Sequence, residues 1–220
     1  MRGGTPFALL LLVAGAYAIV NSQGDPKVHL IAITAEVIAL MGFLFGHLPF
    51  RSLDFRDGDL FAFAAAVLAQ LGTTIMFSAL FNHSVIPVLQ ETSLPQGVGG
   101  DPLVVTSIIV VQAAGEEMLF TGGLYPGVAG LIPGGAGERR TFGKLLTAAT
   151  FTLFHAYSYL GLTTLQAIRA GLGQALPAFL STFTTQLVKC WVFDQLRGVA
   201  GLSLGHAFAN LLVATWAGVV

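Results

Sequence analysis

The chain has 220 residues, 55% of them hydrophobic and 10% charged, with a mean hydropathy of +0.79. Soluble domains carry about 25% charged residues, so the composition excludes an ordinary soluble protein and indicates a polytopic membrane protein. A net charge of -1 gives no electrostatic footprint for nucleic acid, and a lone cysteine, Cys190, excludes an intramolecular disulfide.

A membrane span needs about 20 mostly apolar residues. In chain order the candidates are residues 7–20, 28–45, 60–81, 103–124, 144–160, 165–193 and 199–219. The first is short and has a basic start and an Ala-x-Ala-like end, as a cleaved signal peptide does. Its apolar character continues through Ile19 and Val20, which favours a retained helix. The sixth holds Pro177, which predicts a kink or a break. The connecting stretches "NSQGDP", "PFRSLDFRDGD", "PQGVGGDP" and "IPGGAGERR" carry turn chemistry. With no repeat or soluble domain visible, residues 1–220 read as a single all-α membrane domain of about seven spans, an integral multi-pass protein embedded in a lipid bilayer.

Basic residues set the expected orientation. Arg2, Arg51, Arg56, Arg139, Arg140, Lys144, Lys189 and Arg197 fall on one side of a seven-span chain, and only Lys27 and Arg169 on the other, eight against two. This places the N-terminus in the cytoplasm.

Ionisable groups inside a membrane are functional candidates by default. They are Glu36, Glu116, Glu117, His155, Arg169, Lys189 and His206, whereas His29, His47 and His83 lie near span ends or in a loop. Glu36 and Arg169 both fall in the outer half, as expected of a structural ion pair between the second and sixth spans. At about 1.5 Å per residue, Glu116, His155, His206 and Asn210 share one layer in or near the cytoplasmic half, although they belong to three different spans. His206 and Asn210, four apart, share a helix face. Glu116 and Glu117 point about 100° apart and are expected to do different things. Two neighbouring carboxylates in low dielectric also resist ionising together.

This set suits hydrolysis. A carboxylate beside an imidazole can hold and deprotonate a water, and imidazole and amide N–H groups can stabilise an oxyanion. Ser107 and Cys190 are not placed as nucleophiles. A single Glu with two His is also the donor set of a zinc site, which makes Glu116, His155 and His206 the metal candidates. A titrating Glu–His–His chain would equally suit a proton-coupled transporter, although no repeated halves accompany it.

Three stretches carry a family resemblance: Glu116-Glu117-Met118-Leu119-Phe120-Thr121, Phe151-Thr152-Leu153-Phe154-His155 and His206-Ala207-Phe208-Ala209-Asn210. In order and placement they resemble the EExxxR, FxxxH and HxxxN motifs of the CPBP intramembrane proteases, which include the type II CAAX prenyl endopeptidases and the Abi bacteriocin-immunity proteins. The motif-bearing core covers about residues 103–219. The resemblance implies an intramembrane endopeptidase with a polar cavity opening to the cytoplasmic side, acting on a membrane-associated peptide or a prenylated protein. It implies Glu116 and His155 as activators of the catalytic water, His206 and Asn210 as the oxyanion site, and Glu117 as support for Glu116. It leaves open whether a divalent metal such as zinc takes part. Thr121 stands where the family has arginine. That departure implies either a protonated Glu117 or a substitute cation, for which Arg139 and Arg140 are the expected sources. It also leaves open a catalytically inactive immunity or scaffold member of the family.

Overall fold

A computed structural model describes residues 57–86, 88–89, 101–159 and 172–220. The spans expected at 7–20 and 28–45, with Glu36, Arg169, His29 and His47, lie outside the described residues. So do the N-terminal orientation and the proposed signal sequence.

Among the described residues there are helices and turns and no strands. They are α1 (Asp59–Leu80), α2 (Pro102–Glu116), a π-helical segment (Glu117–Leu124), α3 (Tyr125–Leu131), α4 (Ala136–Tyr159), α5 (Leu172–Leu196) and α6 (Ala200–Trp216). Two stretches are long and apolar enough to cross a membrane, Asp59–Leu80 and Pro102–Leu131. The second runs without interruption through α2, the π segment and α3, so the helix continues beyond the end expected at Leu124.

Each boundary has a local cause. Asp101 caps α2 by accepting from the Leu103 N–H at 2.7 Å, with Pro102 at the first helical position. The π segment contains Gly122 and Gly123, the weakest helix formers after proline. Pro126, which donates no backbone hydrogen bond, follows directly. The turn before α4 is shorter than expected because Ala136–Tyr159 already takes in the GERR stretch, placing Arg139 and Arg140 on a helix rather than in a loop. Pro177 does not divide α5. It is the sixth residue of the helix, and the helix continues past it without the one hydrogen bond that an N–H there would give to the Gly173 carbonyl.

Neighbouring helices alternate in direction. α1 and α6 run parallel: Asp59 meets Gly201 and Gln70 meets Asn210. α5 runs antiparallel to both, with Thr73 reaching Ser181 and Thr185, and Leu196 lying against Gly58. α2 runs with α5, since Glu117 faces Lys189 and Tyr125 faces Asp194. This is the alternation expected of consecutive spans.

Two devices fix α1. Gly201 and Gly205, four apart, let the α1 backbone close on α6. A methyl group at Gly205 would come 2.8 Å from the Ala66 Cβ and closer still to the Phe63 carbonyl oxygen. Small residues at this spacing are a membrane-helix packing motif. On its other flank α1 is tied to α5 by hydroxyls: Thr73 to Ser181 at 3.0 Å and to Thr185 at 2.9 Å, and Thr74 to Ser181 at 2.6 Å.

The packing is inverted relative to a soluble bundle. Leu60, Leu68 and Leu80 on α1 are 81%, 72% and 70% exposed, while Gln70, Gln112, Glu116, Glu117, Gln186, Lys189, His206 and Asn210 are buried. An apolar exterior around a polar interior is the arrangement that a hydrocarbon solvent favours.

Replacing Gly205 by Ala should lower stability by about 1–3 kcal/mol or more, because the obstructing atoms are backbone and a helix Cβ. Gly72→Ala, where nothing lies within 4 Å, should be neutral or slightly stabilising. Thermal unfolding of both variants in detergent checks the pair.

Candidate active site

The two adjacent glutamates occupy different environments. Glu116 ends α2 and is 6% exposed; its Oε1 accepts from Gln112 Nε2, one turn earlier, at 2.8 Å. Its other oxygen, Oε2, lies 3.7 Å from His155 Nε2 and 3.8 Å from His206 Nε2. Glu117 begins the π segment and is fully buried. Its Oε2 accepts from Thr121 Oγ1 at 2.7 Å, and its Oε1 meets Lys189 Nζ and, at 2.9 Å, His206 Nδ1.

The histidines are held from behind. His155 Nδ1 lies 3.0 Å from the Phe151 carbonyl oxygen, an acceptor, so Nδ1 carries the hydrogen and Nε2 presents a lone pair toward Glu116. Phe151 also lies tilted against the imidazole at 4.2 Å between centroids and meets Phe120 edge-on at 5.0 Å. The FxxxH spacing thus serves the ring of His155 twice, once through a carbonyl and once through an aromatic face. His206 Nδ1 is 3.0 Å from Lys189 Nζ as well as in contact with Glu117. An ammonium only donates. Glu117 Oε1, which only accepts, lies 2.9 Å from the same nitrogen, so a bond from Lys189 would put the imidazole proton on Nε2, facing Glu116, and a bond to Glu117 would put it on Nδ1. Asn210, one turn beyond His206, accepts from Gln70 Nε2 of α1.

The structure thus brings Glu116, His155 and His206 together and joins Glu117 to His206. Asn210 is buried on the same face of α6 as His206 and is tied to α1.

The cation beside Glu117 is Lys189, not Arg139 or Arg140. Both arginines are carried on the first turns of α4, with Arg140 exposed to solvent. Lys189 does not belong with the interfacial basic residues either, being 1% exposed. It comes from α5, whereas an arginine at Thr121 would come from the same helix as the glutamates. Thr121, fully buried, fills its own position with hydroxyl bonds, donating to Glu117 and accepting from Gln186 Nε2 at 2.9 Å. The three glutamines Gln70, Gln112 and Gln186 escaped a sequence reading restricted to ionisable groups. Their signal was an amide in the middle of an apolar span, which costs about 2–7 kcal/mol if left unpaired.

A cavity of about 10 Å³, room for about one water, adjoins His155, His206 and Lys189 and reaches toward Gln70, Thr74 and Ser181. It extends away from the end that bears Arg139, Arg140 and Arg197. Toward that end the Tyr125 hydroxyl donates to Asp194 at 2.6 Å, and Lys144 pairs with Asp194 at 2.7 Å. A second pocket, of about 220 Å³, lies at the arginine-bearing end itself, against Tyr125, Asp194, Arg139, Arg140 and Arg197. Glu116, His155 and His206 have the donor types of a His₂Glu zinc site. Yet no three His, Cys, Asp or Glu side chains among the described residues are gathered closely enough to hold a metal ion. The Lys189 ammonium also lies against His206. As arranged, the set does not fit an ion.

A family model described as type II CAAX prenyl endopeptidase Rce1-like matches residues 99–212, more than half of the chain. The chain belongs to that family. The match takes in Glu116, Glu117, His155, His206 and Asn210 and leaves α1 outside it. The family is membrane-embedded, and its name indicates a protease. No curated protein and no solved structure matches the chain.

Lys189→Met should cost about 3–5 kcal/mol of stability, because it strands the Glu117 carboxylate in the interior. Thr121→Arg alone should also destabilise, since a fully buried position beside an existing cation has no room for a second. The double variant should recover part of the loss by restoring one cation to Glu117. Thermal unfolding of the purified full chain separates these outcomes; additive losses would contradict the exchange of one cation for the other.

Proposed function

We propose that the chain is a multi-pass membrane endopeptidase that uses Glu116 and His155 to activate water and His206 and Asn210 to hold the oxyanion. The observation that carries this reading is one carboxylate oxygen, Glu116 Oε2, facing the Nε2 atoms of two histidines at 3.7 and 3.8 Å. Family membership and the apolar exterior of the bundle support it.

The steps follow from the atoms. Gln112 occupies Glu116 Oε1 and leaves Oε2 as the base. A water held between Oε2 and the His155 lone pair attacks the scissile carbonyl carbon as its proton passes to Glu116. The oxygen of the tetrahedral intermediate accepts from His206 Nε2–H, the tautomer in which Lys189 rather than Glu117 bonds Nδ1, and from the Asn210 amide. Collapse breaks the C–N bond, and the proton held by Glu116 goes to the leaving amine. Glu117 takes no proton in this scheme. It holds Lys189, which in turn holds His206.

The family name points to a prenylated CAAX peptide as substrate class, a chain end already held at the membrane. With Arg139, Arg140 and Arg197 at one end of the bundle, that end would face the cytoplasm, and the site would lie about two to three helical turns below it.

Glu116→Gln should retain the fold, because the amide still meets Gln112, and should lose about 10²- to 10⁴-fold in cleavage. The measurement is hydrolysis of a quenched-fluorescent farnesylated CAAX peptide by purified protein in liposomes, beside its thermal unfolding. Full activity in this variant would refute Glu116 as the base.

A further inference from the structure

Asn210 raises a problem of orientation. An asparagine amide has a donor end and an acceptor end of nearly equal shape. An oxyanion site works only if the N–H₂ faces the developing charge; with the amide turned over, Oδ1 would repel it. Nothing in the HxxxN spacing on α6 selects one orientation.

A partner for this amide lies on α1, outside the residues that the family model matches. Gln70 Nε2 donates to Asn210 Oδ1. In this direction the bond engages the acceptor end of Asn210 and leaves its N–H₂ outside the pair. Gln70 and Asn210 are 5% and 3% exposed, so water does not offer an easy substitute partner. Gln70 also lines the cavity together with His155, His206 and Lys189. Its place is fixed from two directions: the Gly201–Gly205 face of α6 closes on α1 below it, and the Thr73–Thr74 hydroxyls bond α5 one turn above. Thr74 Oγ1 additionally donates to the Gln70 carbonyl oxygen at 2.8 Å.

From this geometry we infer that Gln70 is a positioning residue of the hydrolytic site, holding the Asn210 amide with its N–H₂ toward the oxyanion. The inference rests on the hydrolytic reading above. It gives α1 a part in the chemistry that the three sequence motifs do not contain. It also assigns the Gly201–Gly205 contact a functional consequence: that contact sets the distance between the two amides.

The test is a double-mutant cycle on the full chain with the farnesylated CAAX peptide. Gln70→Leu should lower kcat by about tenfold, a fraction of the 10²- to 10³-fold loss for removing one oxyanion donor, with KM little changed. Gln70→Glu should be worse, because its carboxylate accepts from Asn210 N–H₂ and draws the donor away. In an Asn210→Ala background, Gln70→Leu should have no further effect, since its action passes through Asn210. A merely structural Gln70 would lower thermal stability, leave kcat per folded molecule unchanged and act additively with Asn210→Ala; that result overturns the inference. So does an experimental structure of the full chain in which the two amides are apart, whatever the activity. If the parent and Glu116→Ala are equally inactive, the hydrolytic reading falls and takes this one with it. An active parent, an inactive Glu116→Ala and an unchanged Gln70→Leu would overturn the Gln70 inference alone.

Discussion

A carboxylate with no access to water needs a cation, and in this bundle the need of Glu117 organises the surroundings. Lys189 of α5 meets it, His206 of α6 touches both partners, and Thr121 occupies the remaining oxygen. One ion pair thus ties the π segment to two other helices at the level where Glu116 and His155 meet. Buried pairs are costly to assemble and costlier to break. The lasting effect of such a pair is to specify one arrangement: any sliding of α5 against α2 would separate the charges in a medium that does not forgive separation.

The family's arginine would supply its charge from the glutamate's own helix, one turn away, as an intrahelical contact. Here the charge comes from a different helix. The electrostatic requirement is met in both cases, but the mechanical consequence differs. An intrahelical arginine leaves α5 free of the site, whereas Lys189 makes α5 part of it. Lys189 also reaches the imidazole of His206, so the replacement ties the support of one carboxylate to a neighbouring histidine.

The sequence made the motif-bearing residues legible because charge in an apolar run is rare and depth can be counted along a helix. Glu116, His155 and His206 shared a layer on paper and converge in the structure for that reason. The helical class and the alternation of direction followed from run lengths. Lys189 carried the same signature and was counted both with the intramembrane groups and with the bases of one side, but positional counting does not say which face a side chain takes, so its pairing with Glu117 was not legible. Pro177 suggested a break that α5 does not have, since the position of a proline within a helix matters more than its presence. Gln70, Gln112 and Gln186 carry no charge and belong to no motif. Their importance depends on partners 4 to 140 residues away; helix periodicity offers Gln112 to Glu116, and packing alone sets the other two pairings.

The π segment has a consequence of its own. Along a regular helix, each face is locked to every other face by a fixed rotation per residue, so Glu116 would dictate where Tyr125 points. Opening the hydrogen-bond pattern between Glu117 and Leu124 inserts a phase shift between the two halves of one long helix. The half before it can be tuned to present Glu116 to two imidazoles. The half after it can independently send Tyr125 to Asp194. The carboxylate pair and the tyrosine anchor share one rod yet are free to vary separately, and the loss of a single residue between them would set the two at odds.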